Sequence, residues 1–326
     1  MENTLNAWDV SHYGGPDVLV PVTRPISRPK AGQVLIRIRA SAVSRADGMM
    51  RAGQPKFARL FLGLCRPRAS LSGTCFSGDI VAVDEGVADF KVGDAVLGEA
   101  GMQFGANATH LCMDAQGSLV VKPNAVSYEE GATLCDGAMT SWHFLTRVTQ
   151  VRPGEKILIL GGAGSLGTAA VQFASALGAE VSATASARNH DLLRNLGADH
   201  AIDYRATDPL KRGMNYDIIF DTLGVATYGA AKPALAKGGR YLCPVLGLRL
   251  FRDMLLSSVF GGKRAKFAAA GMAPPAVHRE ELSEVIALMG EQKFAPVMDR
   301  TYPFSDLVEA HRYVEAGHKR GNVVIV

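Results

Sequence analysis

Apolar and polar residues alternate along much of the first third of the chain, which is the pattern of short β-strands. Within GQVLIRIRASAV (32–43), every second residue from 34 to 38 is a β-branched apolar residue. The stretch GDIVAVDEGVADFKVGDAVLG (78–98) holds two valine-rich runs around glycine turns. Alternation with a period of two, interrupted by glycine, predicts a β-rich or α+β region over residues 1–120.

The pattern changes after residue 122, where helical and extended periodicities begin to alternate. Ser127 followed by Glu130 matches a capping box, which predicts that a helix begins there. The predicted strands cover 156–160, 180–185, 199–202, 216–221, 239–244 and 266–270, and the predicted helices cover 164–178, 188–197, 227–236 and 249–260. Six strands that alternate with helices predict an α/β fold with a doubly wound parallel sheet.

Two further elements follow the sixth predicted strand. PPAVHREELSEVIALMGEQKF predicts one more helix, and the tail HKRGNVVIV ends in a predicted strand. A six-stranded unit has no place for them, so we expect them to return to the first domain. A length of 326 residues agrees with two domains, at roughly 100–200 residues each.

Composition excludes several classes of protein. The chain is 48% hydrophobic and 20% charged, as in ordinary globular proteins. The formal net charge of +4 comes from scattered lysines and arginines, so we expect no nucleic-acid-binding face. No uninterrupted run of about 18 apolar residues exists, so no membrane span is predicted.

The cysteines and the N-terminal sequence indicate a reducing compartment. Five cysteines occur without a CxxC pair, which favours free thiols over a disulfide framework. The segment MENTLNAWDV has neither the basic nor the apolar region of a signal peptide. We therefore expect a cytoplasmic protein.

The stretch KILILGGAGSLGTAAVQFASALGAEV (156–181) carries the most specific chemistry. Gly162, Gly164 and Gly167 match G-x-G-x-x-G between a predicted strand and a predicted helix. Glycine is needed there for a tight turn, for close approach of backbone to a pyrophosphate, and for packing of the helix on the strand. The alternative is a turn used only for packing, and the complete strand–turn–helix–strand context favours a dinucleotide site.

The end of the second predicted strand of this unit indicates which dinucleotide binds. An NAD site usually places Asp or Glu there, about 20 residues after the glycine motif. Ala185 holds that position, and Ser186 and Arg188 follow it. A hydroxyl and a guanidinium suit a 2′-phosphate, so the sequence predicts NADPH (NADP⁺) over NADH. The alternative for Arg188 is a solvent-exposed residue on the first turn of a helix.

The chain resembles the medium-chain dehydrogenase/reductase superfamily, in its zinc-free quinone oxidoreductase-like branch. The resemblance is carried by YGGPDVL (13–19), GQVLIRIRASAVSRADGMMRAG (32–53), SGDIVAVDEGVADFKVGDAV (77–96), SYEEGATLCDGAMTSW (127–142), the glycine-turn stretch from 151 to 181, and LLRNLGADHAIDY (192–204).

The resemblance implies a GroES-like β-rich catalytic domain from residues 1–124 and 271–326. A Rossmann domain at 125–270 is inserted between these two parts, with the substrate cleft at the interface. The resemblance also implies a homodimer formed by edge-strand pairing near 241–270.

Zinc-dependent members of the superfamily supply three ligands from stretches that this chain also has. The matching positions hold Ser44, Thr74 and Asp136. One carboxylate does not make the three-ligand site that catalytic Zn²⁺ needs, so we expect no zinc. Cys75 and Cys135 are expected to be small core residues.

The resemblance assigns cofactor contacts by position. Gly162, Ala163, Gly164, Ser165 and Leu166 would cradle the pyrophosphate, and Ser186, Arg188 and Tyr204 would surround the 2′-phosphate. The remaining implied contacts are Thr140 near the nicotinamide ribose, Leu223 over the adenine, Leu246 and Gly247 near the carboxamide, and Asn322 from the returning tail. Leu223 and Leu246 could equally be core residues.

Two residues are candidates for catalysis. Ser44 could donate a hydrogen bond to the substrate oxygen, although related sequences often have Asn there. Asp136 could relay a proton through a raised pKa. Asp47 is expected to hold a neighbouring loop rather than transfer protons.

Three functions agree with these features. The first is hydride transfer from NADPH to a quinone or an α,β-unsaturated carbonyl, a small electrophilic substrate that needs no metal. The second is an alcohol or aldehyde dehydrogenase with a rebuilt metal site. The third is a non-catalytic NADPH-binding protein, which the lack of an obvious proton donor would suit.

Overall fold

The computed structural model describes residues 3–260 and 262–326, and the chain divides into two compact units. The first unit combines the residues up to Asp136 with Ala273–Ile286 and Met298–Val326. The second unit comprises Gly137–Met272 and Ala287–Val297. Its limits differ from the predicted 125–270, because the helical segment up to Asp136 packs with the first unit and residues 287–297 pack with the second.

The strands and helices are numbered here in chain order. The strands are β1 (Thr4–Val10), β2 (Leu19–Pro25), β3 (Gln33–Val43), β4 (Cys75–Val83), β5 (Ala95–Glu99), β6 (His110–Asp114), β7 (Ser118–Val121), β8 (Lys156–Leu160), β9 (Glu180–Ala185), β10 (His200–Asp203), β11 (Tyr216–Asp221), β12 (Leu235–Leu242), β13 (Arg264–Lys266), β14 (Met298–Tyr302) and β15 (Asn322–Ile325). The α-helices are α1 (Arg45–Arg51), α2 (Arg59–Leu62), α3 (Tyr128–Thr133), α4 (Met139–His143), α5 (Ser165–Ala176), α6 (His190–Asn195), α7 (Tyr228–Ala231), α8 (Leu248–Phe260), α9 (Pro275–Gly290) and α10 (Leu307–Glu315).

The first unit is built on a seven-stranded sheet in the order β14-β15-β3-β4-β5-β7, with β6 also paired to β3. Strand β3 keeps the predicted alternation only in part, since residues 40–43 are all buried. Both faces of the sheet are covered at that point. Ala132 of α3 packs with Ala40 on one face, and Leu307 of α10 belongs to the same core cluster as Val43 on the other.

The tail predicted to return to the first domain does so as β15. It pairs antiparallel with β3 and parallel with β14.

The predicted cap of α3 is confirmed, because the Ser127 hydroxyl accepts from the Glu130 N–H and the Glu130 carboxylate accepts from the Ser127 N–H. Two π-helical segments, Leu134–Ala138 and Phe144–Val148, flank α4.

The second unit is the predicted doubly wound sheet, with six parallel strands in the order β10-β9-β8-β11-β12-β13. The predicted bounds of β8, β9 and β11 match the structure, and β10 is shifted by one residue. The chain reverses its direction of winding between β8 and β11. This is the point where ligands bind in open α/β sheets, beyond the carboxyl ends of the strands.

Three predicted elements of the second unit, one helix and two strands, differ in their bounds from the structure. The helix predicted at 227–236 ends at Ala231, because Pro233 follows and Lys232–Ala234 form a 3₁₀ turn instead. Strand β12 then begins at Leu235 rather than 239. The strand predicted at 266–270 is β13, which ends at Lys266, since its paired neighbour β12 ends at Leu242 opposite that residue.

The described residues also bear on the expected surroundings of the protein. None of the helices in residues 3–260 and 262–326 is long and apolar enough to cross a membrane. Strand β13 pairs only with β12 among the described strands, so it forms one edge of the sheet. Pairing of that edge with a second copy stays a prediction.

Candidate functional site

The glycine turn after β8 has the geometry that a phosphate-binding turn requires. A Cβ atom on Gly162 would lie 3.0 Å from the Ala183 side chain, and one on Gly167 would lie 2.1 Å from the carbonyl oxygen of Gly161. Gly167 therefore needs glycine for packing, whereas a Cβ at position 162 would be a tight contact. A Cβ on Gly164 would meet only the Gly161 oxygen, at 3.8 Å, so this position is open.

The start of α5 faces this open position. Gly164 is the N-cap residue of the helix, and its first turn contains no acidic residue. The first N–H groups of a helix have no intrahelical partner, and the helix dipole places positive charge there. The arrangement fits the pyrophosphate of a dinucleotide. The contacts with pyrophosphate expected of Gly162, Ala163, Gly164, Ser165 and Leu166 stay a prediction.

Hydrogen bonds to the neighbouring strand β9 hold the turn in place. The N–H of Gly161 donates to the Thr184 hydroxyl at 3.0 Å, and the N–H of Gly162 donates to the Thr184 carbonyl at 2.8 Å. Gly161 has φ +82°, a conformation that favours glycine. Its backbone lies so close to Leu223 that a Cβ atom would come within 2.5 Å of that side chain.

A fully buried carboxylate positions the loop that carries Leu223. Asp221 ends β11 and accepts hydrogen bonds from the backbone N–H groups of all four residues from 223 to 226, at 2.7–3.2 Å. The Tyr241 hydroxyl donates to the same carboxylate at 2.9 Å. Burial, with the charge of Asp221 beside it, raises the pKa of Tyr241. The loop therefore brings Leu223 against the glycine turn.

The predicted 2′-phosphate residues follow the carboxyl ends of the adjacent strands β9 and β10. The register pairs Asp203 with Ala185, so Tyr204 and Ser186 follow at adjacent strand ends. Ala185 and Ser186 are buried, whereas Arg188 and Tyr204 are exposed. The side chain at the usual acidic position is thus a small methyl group.

Sequence reasoning missed Arg205 at this corner. Its guanidinium carbon lies 5.7 Å from the centroid of the Tyr204 ring. Neither Arg188 nor Arg205 forms an ion pair with a carboxylate among the described residues. Two cations without acidic partners make the corner attractive to a phosphate. The dipeptide Tyr-Arg directly after a strand is the sequence signal that could have identified Arg205.

The remaining predicted contacts in the second unit lie near the same sheet edge. The Ser141 hydroxyl donates to the Leu166 carbonyl at 2.8 Å, which ties α4, with the adjacent Thr140, to the first turn of α5. Leu246 and Gly247 lie in the loop between β12 and α8 and are partly buried. A Cβ on Gly247 would have no atom within 4 Å, so that side of the loop is open.

Three predicted residues, Ser44, Asp136 and Asn322, lie in the first unit. Ser44 is the N-cap of α1, and its hydroxyl donates to the Asp47 carboxylate at 2.7 Å. The one hydroxyl proton of Ser44 is therefore already used, which favours a capping role over donation to a substrate. Asp47 also accepts from the Ser44 N–H at 2.8 Å and from the Thr74 hydroxyl at 3.4 Å, as expected of a residue that holds a loop.

A carboxyl cluster around Asp136 contains a residue that the sequence did not suggest. Glu99 ends β5, its side chain is 11% exposed, and its pKa is raised to about 8. The largest cause is burial, and the charges of Asp136 and Asp47 add to it. Its Oε2 atom has no hydrogen-bond partner among the described residues, although His278 Nδ1 lies 3.7 Å away. Glu99 therefore keeps its proton at neutral pH.

The other groups of the cluster share this desolvated environment. Burial raises the pKa values of Cys75 and Cys135, and nearby Glu99 and Asp136 contribute in the same direction. Burial lowers the pKa of Lys319, while the charge of Asp136 acts against that shift. An acid at the end of the otherwise apolar strand AVLGE is the signal that could have drawn attention to Glu99.

The positions that bind zinc in other members of the superfamily carry Ser44, Thr74 and Asp136. Two hydroxyls and one carboxylate are a poor set for Zn²⁺, which prefers thiolate and imidazole. Within the described ranges, no group of three or more His, Cys, Asp or Glu residues is arranged to hold a metal ion.

Two family models match the chain. One, described as an alcohol dehydrogenase GroES-like domain, matches residues 30–158. The other, described as a zinc-binding dehydrogenase, matches residues 196–325.

Individual relatives cover almost the whole chain. A protein of the alcohol dehydrogenase superfamily from Novosphingobium aromaticivorans is 30% identical and superposes with a TM-score of 0.83. The aligned region covers 98% of this chain and 99% of that protein's chain. The quinone oxidoreductase from Coxiella burnetii is 28% identical over 99% of both chains, with a TM-score of 0.87. A chloroplastic NADPH-dependent alkenal/one oxidoreductase from Arabidopsis thaliana is 28% identical over 98% of this chain and 79% of its own length.

The glycine turn, the six-stranded sheet, the GroES-like unit and these relatives agree. The chain belongs to the medium-chain dehydrogenase/reductase superfamily, in its quinone oxidoreductase-like branch, and is an oxidoreductase.

Proposed function

We propose that the protein transfers hydride from NADPH to a quinone or an α,β-unsaturated carbonyl compound, without zinc. The observation that carries this proposal is the open glycine turn beside a corner where Ala185 stands in place of the usual acid. Arg188 and Arg205 at this corner have no carboxylate ion-pair partner among the described residues. The names of the relatives support the substrate class, since one 28% identical protein is called a quinone oxidoreductase and another an alkenal/one oxidoreductase.

In this proposal the residues of the second unit bind and orient the cofactor. NADPH, when bound, supplies the hydride from its nicotinamide ring. The start of α5 holds the pyrophosphate, while Ser186, Arg188 and Arg205 hold the 2′-phosphate. Leu223 restricts the adenine side, and Thr140 is fixed through Ser141 near the nicotinamide ribose. Fixed positions lower the entropic part of the barrier to hydride transfer.

Reduction of the acceptor also needs a proton, and the proposal takes it from the carboxyl cluster of the first unit. Asp136 was the predicted relay. Glu99 is the member whose pKa of about 8 keeps it protonated at neutral pH, and the charge of Asp136 contributes to that shift. Glu99, rather than Asp136, is therefore the member of the cluster that holds a proton for general acid catalysis.

The reaction is tested directly with purified protein. We expect oxidation of NADPH, followed through the loss of its absorbance, with 9,10-phenanthrenequinone and with simple enones. Dialysis of the protein against a chelator should not lower the rate. Stoichiometric zinc with alcohol-dependent reduction of NADP⁺ would support a dehydrogenase instead. Cofactor binding without turnover of any acceptor would support a non-catalytic NADPH-binding protein.

Replacing Arg188 with alanine tests the cofactor preference. The loss of a charge-assisted hydrogen bond to phosphate should weaken NADPH binding by about 10–100-fold and change NADH binding by less than about threefold. Fluorescence titration of each cofactor measures both constants. Arg194→Ala is the matched control, because Arg194 is an exposed arginine of α6 that pairs with Asp191. Equal losses for NADPH and NADH would refute the phosphate role.

The proton held by Glu99 makes stability depend on pH. The pKa of Glu99 is about 8 in the folded state against 4.5 for an ordinary glutamate, so the folded protein binds the extra proton between these values. The contribution of this proton to the free energy of unfolding is complete below pH 4.5 and is lost as the pH rises towards 8. The free energy of unfolding falls by up to about 1.4 kcal/mol per pH unit in that range.

In the Glu99→Gln variant, the free energy of unfolding should therefore fall less steeply between pH 5 and pH 8 than in the wild type. The two pKa values of Glu99, folded and unfolded, set this pH range. Urea unfolding at several pH values measures this. The exposed Glu85→Gln is the control and should leave the wild-type profile unchanged. A Glu99→Gln profile that declines as steeply as the wild type would show that Glu99 is not the group that holds the proton.

A further inference from the structure

A groove lies between α7 and α8 on the second unit, and no residue of the glycine turn lines it. It has a volume of about 440 Å³, within the roughly 300–1,000 Å³ typical of small-molecule sites. We call it the α7–α8 groove, and it is lined by Thr227, Tyr228, Gly229, Lys232, Arg249, Arg252, Asp253, Leu256 and Ser257. None of these residues belongs to the glycine turn or to the corner formed by residues 186, 188, 204 and 205.

The rim of the groove is positively charged. Lys232, Arg249 and Arg252 are exposed, and Asp253 is the only acid in the lining. Arg252 donates to Asp253 Oδ1 at 2.8 Å, so those two charges offset each other. Lys232 and Arg249 have no carboxylate partner among the described residues, which leaves the groove with two uncompensated cations.

The fold gives no structural reason for these cations. Arg249 lies in the first turn of α8, where the helix dipole disfavours a positive charge, and that turn contains no acid to balance it. The Lys232 ammonium lies 5.9 Å from the centroid of the Tyr228 ring, at the outer limit of a cation–π contact. The Lys263 ammonium donates to the Lys232 carbonyl at 2.8 Å and adds positive charge beside the groove.

The floor of the groove differs from its rim because it is buried and polar. The side chains of Tyr228, Asp253 and Ser257 are buried. Only the Oδ1 atom of Asp253 is engaged by Arg252, so its second oxygen can accept a further hydrogen bond. The Thr227 hydroxyl accepts from the Ala230 N–H and keeps its own proton to donate.

We propose that the α7–α8 groove binds a small phosphate ester that carries hydroxyl groups. The phosphate lies between Lys232 and Arg249, and a hydroxyl group donates to Asp253. A ligand with two such ends matches a groove in which cations line the rim and an acceptor lies on the floor. A plain anion would be repelled by Asp253, and a neutral polyol would leave the two cations without a partner.

The test uses sn-glycerol 3-phosphate, with inorganic phosphate and glycerol as partial ligands. Isothermal titration at constant ionic strength should show one site per chain for glycerol 3-phosphate, weaker binding of phosphate, and no binding of glycerol. Lys232→Ala and Arg249→Ala should each weaken binding of glycerol 3-phosphate at least tenfold. The Asp253→Asn variant should bind glycerol 3-phosphate with nearly the same affinity as inorganic phosphate. If this variant still binds phosphate, the variant is folded.

Two control variants separate the groove from the cofactor corner. Lys237→Ala removes an exposed lysine outside the lining, and Arg188→Ala removes a cation of the corner; neither should change the affinity. The proposal is overturned if no saturable binding occurs, or if Arg188→Ala abolishes binding while Lys232→Ala does not. Equal affinity for phosphate and glycerol 3-phosphate would overturn the role of Asp253. None of these outcomes depends on the proposed reductase activity.

Discussion

The close approach of α5 to the end of β8 is the constraint on which the candidate site depends. The carbonyl oxygen of Gly161 occupies the place where a Cβ of residue 167 would be, so only glycine allows the helix to begin there. The contact directs the first turn of α5 at the sheet edge. The Ser141 hydroxyl then fixes α4 to that turn, while Asp221 holds the loop that brings Leu223 against Gly161. The glycine turn and the α4 segment thus take their positions from the contact of α5 with β8, and the Leu223 loop takes its position from Asp221.

Two buried carboxyl groups show how the same residue chemistry can serve opposite purposes. Asp221 has five hydrogen-bond donors around it, four from one loop and one from Tyr241, so its burial fixes a backbone. Glu99 is buried beside other acids with one oxygen unsatisfied, so its burial raises its pKa and retains a proton. The number of donors available, rather than the depth of burial, decides which outcome results.

Much of the fold could be predicted from the sequence, because local periodicity and glycine spacing specify it. KILIL and YDIIFD are continuous apolar runs that suit a parallel sheet buried on both faces, and their bounds match β8 and β11. The prediction of a helix over 227–236 is wrong in length, because Pro233 cannot continue an α-helix and the chain forms a 3₁₀ turn there instead. The cofactor-binding and catalytic assignments stay predictions. Glu99 and Arg205 were missed because their significance comes from neighbours distant in sequence, which periodicity does not reveal.

The central claim is that the glycine turn binds a dinucleotide and is not merely a packing turn. Gly164→Ala places a methyl group where the structure has open space, on a backbone that alanine adopts readily. The measurement is the NADPH dissociation constant of this variant, together with its melting temperature. The account predicts an unchanged melting temperature and affinity lowered by about tenfold or more, which corresponds to at least ~1.4 kcal/mol. Unchanged affinity for NADPH in a folded Gly164→Ala protein would contradict it.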